Sequence, residues 1–217
     1  MKYLKICQAK FIDRPNRFIA HVELNGNVET VHVKNTGRCK ELLIKGVTVI
    51  LEESDNTSRK TKYDLIAVYK ENFGLINIDS QAPNKVAKEW LESKDYSYIK
   101  PEYTYSNSRI DFYMEKDDKK YLMEVKGCTL ERNGIGYFPD APTERGVKHI
   151  YELIKAKEEG FEVALAFVIQ MEGVNEVLPN IDTHPEFGVA IADAKKAGVS
   201  IVFIKCRVLE DKLEYIE

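Results

Sequence analysis

A predicted β-hairpin with strands at 109–114 and 121–127 constrains the fold of this chain more than any other stretch. Successive side chains along a strand point to opposite faces of the sheet. Glu124 and Lys126 therefore share one face of the second strand, and Asp111 lies on the face opposite to its apolar neighbours in the first. Because buried charges are costly unless they are paired or bound to a metal, three charged residues on one hairpin indicate a functional site.

Composition narrows the class of protein. The 217 residues are 44% hydrophobic and 31% charged, as expected for a soluble globular protein. We expect no membrane segment and no signal peptide, because the chain has no transmembrane-length apolar run and its first ten residues lack a long apolar stretch. The four cysteines form no CxxC pair, which argues against a zinc site or disulfide framework and predicts a cytoplasmic location. A net charge of −3 restricts nucleic-acid binding to local basic patches.

Residues 1–80 are predicted to form a small barrel domain. The segment consists of about five or six short strands separated by polar turns. Asn25-Gly26 is a strong signal for a type I′ hairpin turn. We also predict one short helix at 37–44, ended by Gly46. Several short strands with one small helix are typical of an OB-like barrel.

Residues 81–217 are predicted to form a second domain, because helices and strands alternate from there onwards. Outside the hairpin, the predicted helices span 84–94, 144–159 and 185–197, and the predicted strands span about 98–105, 161–169 and 199–208. A long loop is expected between the hairpin and the second helix. In that helix Val147, Ile150, Tyr151 and Ile154 form the apolar stripe. This order predicts a three-layer α/β domain with a mixed sheet, in a chain that is α+β overall.

The charged residues of the hairpin could hold a metal. Carboxylates on neighbouring strands, here Asp111 and Glu124, can bind Mg²⁺ or Mn²⁺, with waters and a phosphate oxygen completing the coordination. A cation at this position stabilises charge on a transferring phosphoryl group and lowers the pKa of a bound water. Lys126 could position that water or neutralise developing charge. The alternative is a cross-strand ion pair at the sheet surface.

The order of a helix, a strand, a strand with Asp, a strand with ExK and a further helix resembles the PD-(D/E)xK nuclease superfamily. The resemblance implies that Asp111 and Glu124 are metal ligands and that Lys126 is the catalytic lysine. Many members carry an additional acidic residue on the first helix, and Glu89 is the best match here. The alternative for Glu89 is an ordinary solvated helix residue. Such a resemblance does not guarantee activity, since function depends on the site and not on the fold.

Basic residues in both halves are candidates for nucleic-acid binding. On the helix that follows the hairpin, Arg145, Lys148 and His149 could reach phosphate near the metal site. In the barrel, the candidates in the turns and loops are Arg17, Lys34, Arg38, Lys40, Arg59, Lys60 and Lys62. The alternative is that these residues only keep the loops and the helix face soluble. No aromatic pair stands out as a platform for base stacking.

Several segments together resemble one family across nearly the whole chain. They are NTGRCKELL, ESDNTSRKTKYDL, INIDSQAPNKV, NSRIDFY, EVKGCTL, YFPDAPTERGVKHIYEL and VIQMEGV. Together they are similar to the sugar fermentation stimulation protein A family, and the TERGxKH segment is especially specific. The resemblance implies an OB-like domain joined to a nuclease-like α/β domain in a cytoplasmic DNA-binding protein. The family name suggests regulation of sugar metabolism, although the sequence contains no recognisable sugar site.

Three functions remain open at this stage. The first is a DNA-binding protein of low sequence specificity, for single- or double-stranded DNA, with a Mg²⁺-dependent phosphodiesterase site. The second is a non-catalytic DNA-binding regulator of sugar metabolism genes that retains the nuclease fold. The third, a sugar-active enzyme, is less favoured because a glycosidase does not need the lysine of the ExK pattern. The oligomeric state is open.

Overall fold

The amino-terminal strands form a closed barrel in the computed structural model, which describes residues 1–216. The strands are β1 (Ile6–Asp13), β2 (Ile19–Leu24), β3 (Asn27–Val33), β4 (Thr48–Glu53) and β5 (Tyr63–Lys70), and β6 (Gly74–Asn77) extends the sheet beyond β5. The pairing order is β3-β2-β1-β4-β5, and a parallel pairing of β3 with β5 closes the barrel. The predicted OB-like barrel is therefore confirmed.

Turn chemistry explains why the predicted hairpin turn of the barrel is present and why its predicted short helix is absent. Asn25 and Gly26 have φ values of 52° and 79°, as a type I′ turn between β2 and β3 requires. The helix predicted at 37–44 is wrong, because that segment forms turns. The guanidinium of Arg14 takes the carbonyl oxygens of Gly37 and Arg38 that a helix would need as acceptors. Cys39, with φ 45°, also breaks the helical conformation.

The carboxyl-terminal half is built on a six-stranded mixed sheet. The strands of this half are β7 (Tyr98–Tyr105), β8 (Ser108–Lys116), β9 (Lys119–Cys128), β10 (Leu130–Arg132), β11 (Ile135–Phe138), β12 (Glu162–Ile169), β13 (Val177–Pro179), β14 (Ser200–Leu209) and β15 (Lys212–Tyr215). The large sheet has the order β15-β14-β12-β9-β8-β7. Strand β12 runs parallel to β9 and β14, and the outer pairs are antiparallel. The predicted mixed sheet is confirmed.

Helices cover both faces of the large sheet, which gives the predicted three layers. Helix α1 (Ala82–Glu92) packs through Val86 and Leu91 against one face. Helices α2 (Glu144–Glu158) and α3 (Pro185–Lys196) pack against the other face, on the side that also meets the barrel core. No helix among the described residues has the length and apolar character needed to cross a membrane.

The buried face of α2 differs from the predicted stripe. Tyr151 is exposed, and its hydroxyl donates to Asp193 at 3.0 Å. His149 is buried instead, beside Ile150 and Leu153. Burial of a polar side chain requires a hydrogen-bond partner, and the periodicity of apolar residues alone does not reveal that partner.

The segment after the hairpin, predicted as a long loop, contains two strands of a small second sheet. Strand β11 pairs with β10 and with β13, which comes from beyond β12. Strands of three or four residues are too short for an alternating pattern, and β15 was missed for the same reason.

The division of the chain at residue 80 stays a prediction. Strand β6 ends at Asn77 and α1 begins at Ala82, while one apolar cluster includes residues of both halves.

Candidate metal and nucleic-acid site

The hairpin of β8 and β9 brings Asp111 and Glu124 opposite each other. The two strands pair from Lys116↔Lys119 to Phe112↔Met123, and the next step of this register faces Asp111 with Glu124. At that step the Oδ2 atom of Asp111 accepts a hydrogen bond from the Val125 N–H at 2.8 Å. The carboxylate thus replaces the backbone carbonyl that would accept this bond in a regular ladder. The two carboxylates therefore occupy the point where the strand ladder ends.

Glu124 is buried and only half satisfied. Its side chain is 2% exposed, and its Oε1 accepts a hydrogen bond from Lys126 Nζ at 2.6 Å and another from His149 Nδ1. Its Oε2 is buried without a hydrogen-bond partner. A buried carboxylate oxygen without a donor is unfavourable and calls for an explanation such as a bound cation.

The environments of the two carboxylates shift their pKa values in opposite directions. Burial, and then the negative charge of Glu124, raise the pKa of Asp111 above its ordinary value, although the Val125 N–H and Asn84 oppose this. Burial alone would raise the pKa of Glu124 as well, but hydrogen bonds from His149 and Lys126 hold it below its ordinary value. Glu124 is thus kept ionised at neutral pH. Its negative charge in turn disfavours ionisation of the Asp111 carboxyl group that faces it.

His149 lies inside this site and does not face solvent. Its Nε2 accepts a hydrogen bond from Arg145 Nε at 3.3 Å, which assigns the ring proton to Nδ1 and makes Nδ1–H the donor to Glu124. The prediction that His149 contacts nucleic acid is therefore wrong, because the buried face of α2 turns it towards Glu124. Arg145 is exposed at the start of α2, so it keeps the position predicted for a phosphate contact.

Glu89 does not join the carboxylates. Its side chain is exposed, and its Oε2 binds the amino group of Met1 at 2.8 Å. The residue of α1 that does reach the site is Asn84, whose Nδ2 donates to Asp111 Oδ1 at 2.7 Å. The resemblance implied an acidic residue on this helix, whereas the helix supplies an amide that orients the Asp111 carboxylate.

The metal-ligating capacity of this site is limited to two carboxylates. Within residues 1–216, no group of three His, Cys, Asp or Glu side chains has the arrangement of a metal site. A cation held by Asp111 and Glu124 would therefore take its other ligands from water or from a substrate. Such a ligand set suits Mg²⁺, which keeps several waters and binds through one or two carboxylates and phosphate.

Some of the basic candidates in the barrel are already engaged by carboxylates. Lys34 lies 3.2 Å from Asp64 and 3.8 Å from Asp79. Arg59 binds both oxygens of Asp64, at 2.5 and 2.9 Å. Burial would raise the pKa of Asp64, but the hydrogen bonds from Arg59 and His32 and the charge of Lys34 lower it to about 2. Lys34 and Arg59 thus stabilise the barrel and have little capacity left for phosphate.

The remaining candidates are exposed, and some of them have weak surface partners. Lys62 pairs with Glu53 at 3.4 Å, and Lys148 pairs with Glu152 at 3.6 Å. In the part of the chain that the structure describes, the exposed candidates without an ion pair are Arg17, Arg38, Lys40, Lys60 and Arg145. The positive charge available to a nucleic acid is therefore a subset of what the sequence predicted.

Fold and site together define a class: an OB-like barrel joined to a three-layer α/β half that carries a carboxylate–lysine site on a hairpin. Two family models match the chain. The "SfsA N-terminal OB domain" matches residues 12–78, and the "Sugar fermentation stimulation protein RE domain" matches residues 81–212. The chain belongs to the sugar fermentation stimulation protein (SfsA) family.

Individual relatives agree with this assignment along the whole chain. A sugar fermentation stimulation protein homolog of Desulfitobacterium hafniense (strain DSM 10664 / DCB-2) is 54% identical over 217 residues, covering 99% of this chain and 95% of that protein. A homolog of Clostridium beijerinckii is 55% identical, covering 98% of this chain and 96% of the relative. The solved structure of Pyrococcus furiosus SfsA in complex with Ca²⁺ is 27% identical, with a TM-score of 0.86 over 99% of this chain and 96% of that one.

Proposed function

We propose that this protein binds DNA with low sequence specificity and cleaves phosphodiester bonds at a divalent-metal site formed by Asp111, Glu124 and Lys126. The observation that carries the proposal is the buried, unpartnered Oε2 of Glu124 opposite Asp111. An anionic oxygen without a donor, facing a second carboxylate, fits a cation better than it fits a structural ion pair.

The residues present fit Mg²⁺ or Mn²⁺. Asp111 and Glu124 would hold the ion through carboxylate oxygens, the ligand type that these cations prefer. The Pyrococcus furiosus relative was solved with Ca²⁺, which is also an oxygen-ligated cation, and this supports the proposal. When bound, such an ion lowers the pKa of a coordinated water and stabilises charge on the phosphoryl group.

The protein's own side chains orient this site. Asn84 and the Val125 N–H hold Asp111, and His149 and Lys126 hold Oε1 of Glu124, so that Oε2 is left free. The Nζ of Lys126 lies 2.6 Å from Glu124 Oε1 and would neutralise a non-bridging phosphate oxygen. The combination of two carboxylates and a lysine on one hairpin matches the PD-(D/E)xK pattern and favours phosphate over sugar chemistry.

A nicking assay tests the proposal. Single-stranded, duplex and branched DNA would be incubated with the purified chain and Mg²⁺ or Mn²⁺. Glu124→Gln keeps an oxygen that accepts from His149 and Lys126 but removes the anionic Oε2, so we expect cleavage to fall more than about 100-fold, as for an interaction that stabilises the transition state. Glu89→Gln makes the same chemical change outside the site and should retain activity. Absence of cleavage of all three substrates, together with absence of metal binding by calorimetry, would refute the nuclease proposal.

A non-catalytic DNA-binding regulator is the second candidate. The exposed, unpaired Arg17, Arg38 and Lys40 favour it, because these residues support DNA binding independently of Glu124. This candidate predicts DNA binding that weakens steeply with salt and survives Asp111→Ala, with no metal-dependent nicking by the wild-type chain. Metal-dependent nicking that is lost in Glu124→Gln would exclude it.

A further inference from the structure

Four exposed cations without an ion pair share one cavity. Arg17, Arg38, Lys40 and Lys45 line a space of about 1170 Å³ between the barrel loops and the loop that precedes α2. All four are exposed, and none forms an ion pair with another described residue. In a chain of net charge −3, this local excess of positive charge marks a binding surface for an anionic ligand.

The loops that form this cavity are fixed in place. The guanidinium of Arg14 donates to the carbonyl oxygens of Arg17 at 2.7 Å, Gly37 at 2.9 Å and Arg38 at 2.8 Å, so the two basic loops are tied to each other. The opposite wall is attached through Asp140, whose Oδ2 accepts from the Arg38 N–H at 2.9 Å. A side chain at position 37 would not fit, since a Cβ there would lie 2.2 Å from Asp140 Oδ2. The cavity is therefore preorganised, which lowers the cost of binding.

The cavity extends from the basic loops to sequence neighbours of the carboxylate–lysine site, although no residue of that site lines it. Pro83 and Gly127 are part of its lining. Pro83 directly precedes Asn84, which binds Asp111, and Gly127 directly follows Lys126. A ligand that is long enough to fill the cavity would thus contact the basic loops and approach the site at once.

We propose that this cavity is the path of a single DNA strand, which is held by its phosphates and led from the barrel loops to Asp111 and Glu124. The inference rests on the proposed function and specifies its substrate. The volume is only slightly above the 300–1,000 Å³ of small-ligand pockets. A volume of this size accommodates a few nucleotides of a single strand. A positively charged groove that follows the backbone is the usual way in which OB folds bind single strands.

The aromatic residues of the cavity support recognition of the backbone and not of the bases. Phe11 is buried in the barrel core, and Phe138 packs on Phe167 and Phe187. The Phe11 ring is therefore inaccessible to a base, and the half-buried Phe138 ring is already packed against two other rings. Phosphate contacts carry no sequence information directly, so the strand would be bound without a preferred sequence.

Fluorescence anisotropy tests this path. A labelled single strand longer than the 4–16 nucleotides that an OB fold covers would be titrated in EDTA, so that no cleavage occurs, over a range of salt concentrations. We expect Arg17→Gln/Arg38→Gln to reduce the slope of log K against log salt by about 1.4, which is 0.7 for each lost contact. At low salt its affinity should fall more than about tenfold. The backbone carbonyls that bind Arg14 are kept, so folding should be unaffected, as circular dichroism can verify.

The matched control is Lys195→Gln/Lys196→Gln, which removes the same charge from the exposed end of α3, outside the cavity. Its affinity and salt slope should equal those of the wild-type chain. Equal losses in both double variants, or an unchanged affinity of Arg17→Gln/Arg38→Gln, would overturn the path but leave the proposed function standing. Tighter binding of the corresponding duplex, or of a single-stranded RNA of the same sequence, would also overturn the assignment. Failure of the wild-type chain to bind any DNA would overturn the proposed function itself.

Discussion

Replacement of His149 by Leu tests how the buried carboxylate of Glu124 is maintained. The change keeps apolar volume but removes the Nδ1–H donor to Glu124 and the acceptor for Arg145 Nε. A hydrogen bond to a charged group contributes about 1.5–3 kcal/mol. The bond from Arg145, an exposed residue, adds less than about 1 kcal/mol. We therefore expect the free energy of unfolding to fall by about 2–4 kcal/mol, which corresponds to a decrease in Tm of roughly 5–15 °C for a chain of this size.

Urea unfolding at neutral pH measures this loss, and a double-mutant cycle assigns it to the pair. In a Glu124→Gln background the acceptor is neutral, so His149→Leu should cost about 1–2 kcal/mol less than in the wild-type chain. The control is His21→Leu, since His21 is partly exposed and bonds Asp13 at 2.7 Å as a surface pair. That change should cost less than about 1 kcal/mol. The reasoning is refuted if His149→Leu costs no more than the control, or costs the same in both backgrounds.

Three further predictions concern the metal, the barrel and the cavity wall. Mg²⁺ or Mn²⁺ at about 100 times its Kd should stabilise the wild-type chain by about 2.7 kcal/mol. A thermal scan that finds an equal gain in the Glu124→Gln variant would contradict metal binding by Glu124. Because the pKa of Asp64 is lowered from 3.8 to about 2, its carboxylate stabilises the fold above pH 4 and ceases to do so as the pH falls towards 2. Asp64→Asn should thus cost about 2 kcal/mol at pH 7 and progressively less below pH 4, and a pH-independent difference in urea unfolding would argue against this. Gly37→Ala should cost about 1–3 kcal/mol through the clash with Asp140, and less in an Asp140→Ala background; equal costs in the two backgrounds would disprove the contact.

The core of the site was predictable because it depends on local alternation along one hairpin. Asp111, Glu124 and Lys126 lie where period-2 patterning places them, and the register of β8 and β9 follows from a tight turn, in which Asp117 and Asp118 have φ values of 50° and 58°. The closed barrel was likewise predicted from short strands and turn residues. Both results rest on signals that extend over a few neighbouring residues.

The residues that support the site could not be predicted in this way. His149 is buried because a carboxylate 25 positions earlier accepts a hydrogen bond from its Nδ1–H, and Asn84 contacts Asp111 across 27 positions. Lys34 looked available for DNA, but its partner Asp79 lies 45 positions away in the chain. Such pairings are properties of the tertiary fold, and hydropathy patterns do not encode them.

Gln170, at the end of β12, has a consequence for how the molecule unfolds. Its side-chain Nε2 donates to Asn77 Oδ1 at 2.8 Å and to the backbone carbonyl of Asp79 at 3.0 Å. Its backbone N–H donates to the backbone carbonyl of Cys128 at 3.0 Å. Gln170 thus links β6 and the segment after it to the central strands of the large sheet, within an interface where it is 1% exposed. Separation of the two halves would leave these buried polar groups unsatisfied. The barrel and the layered half are therefore expected to melt as one cooperative unit, with a single calorimetric transition whose van't Hoff and measured enthalpies agree.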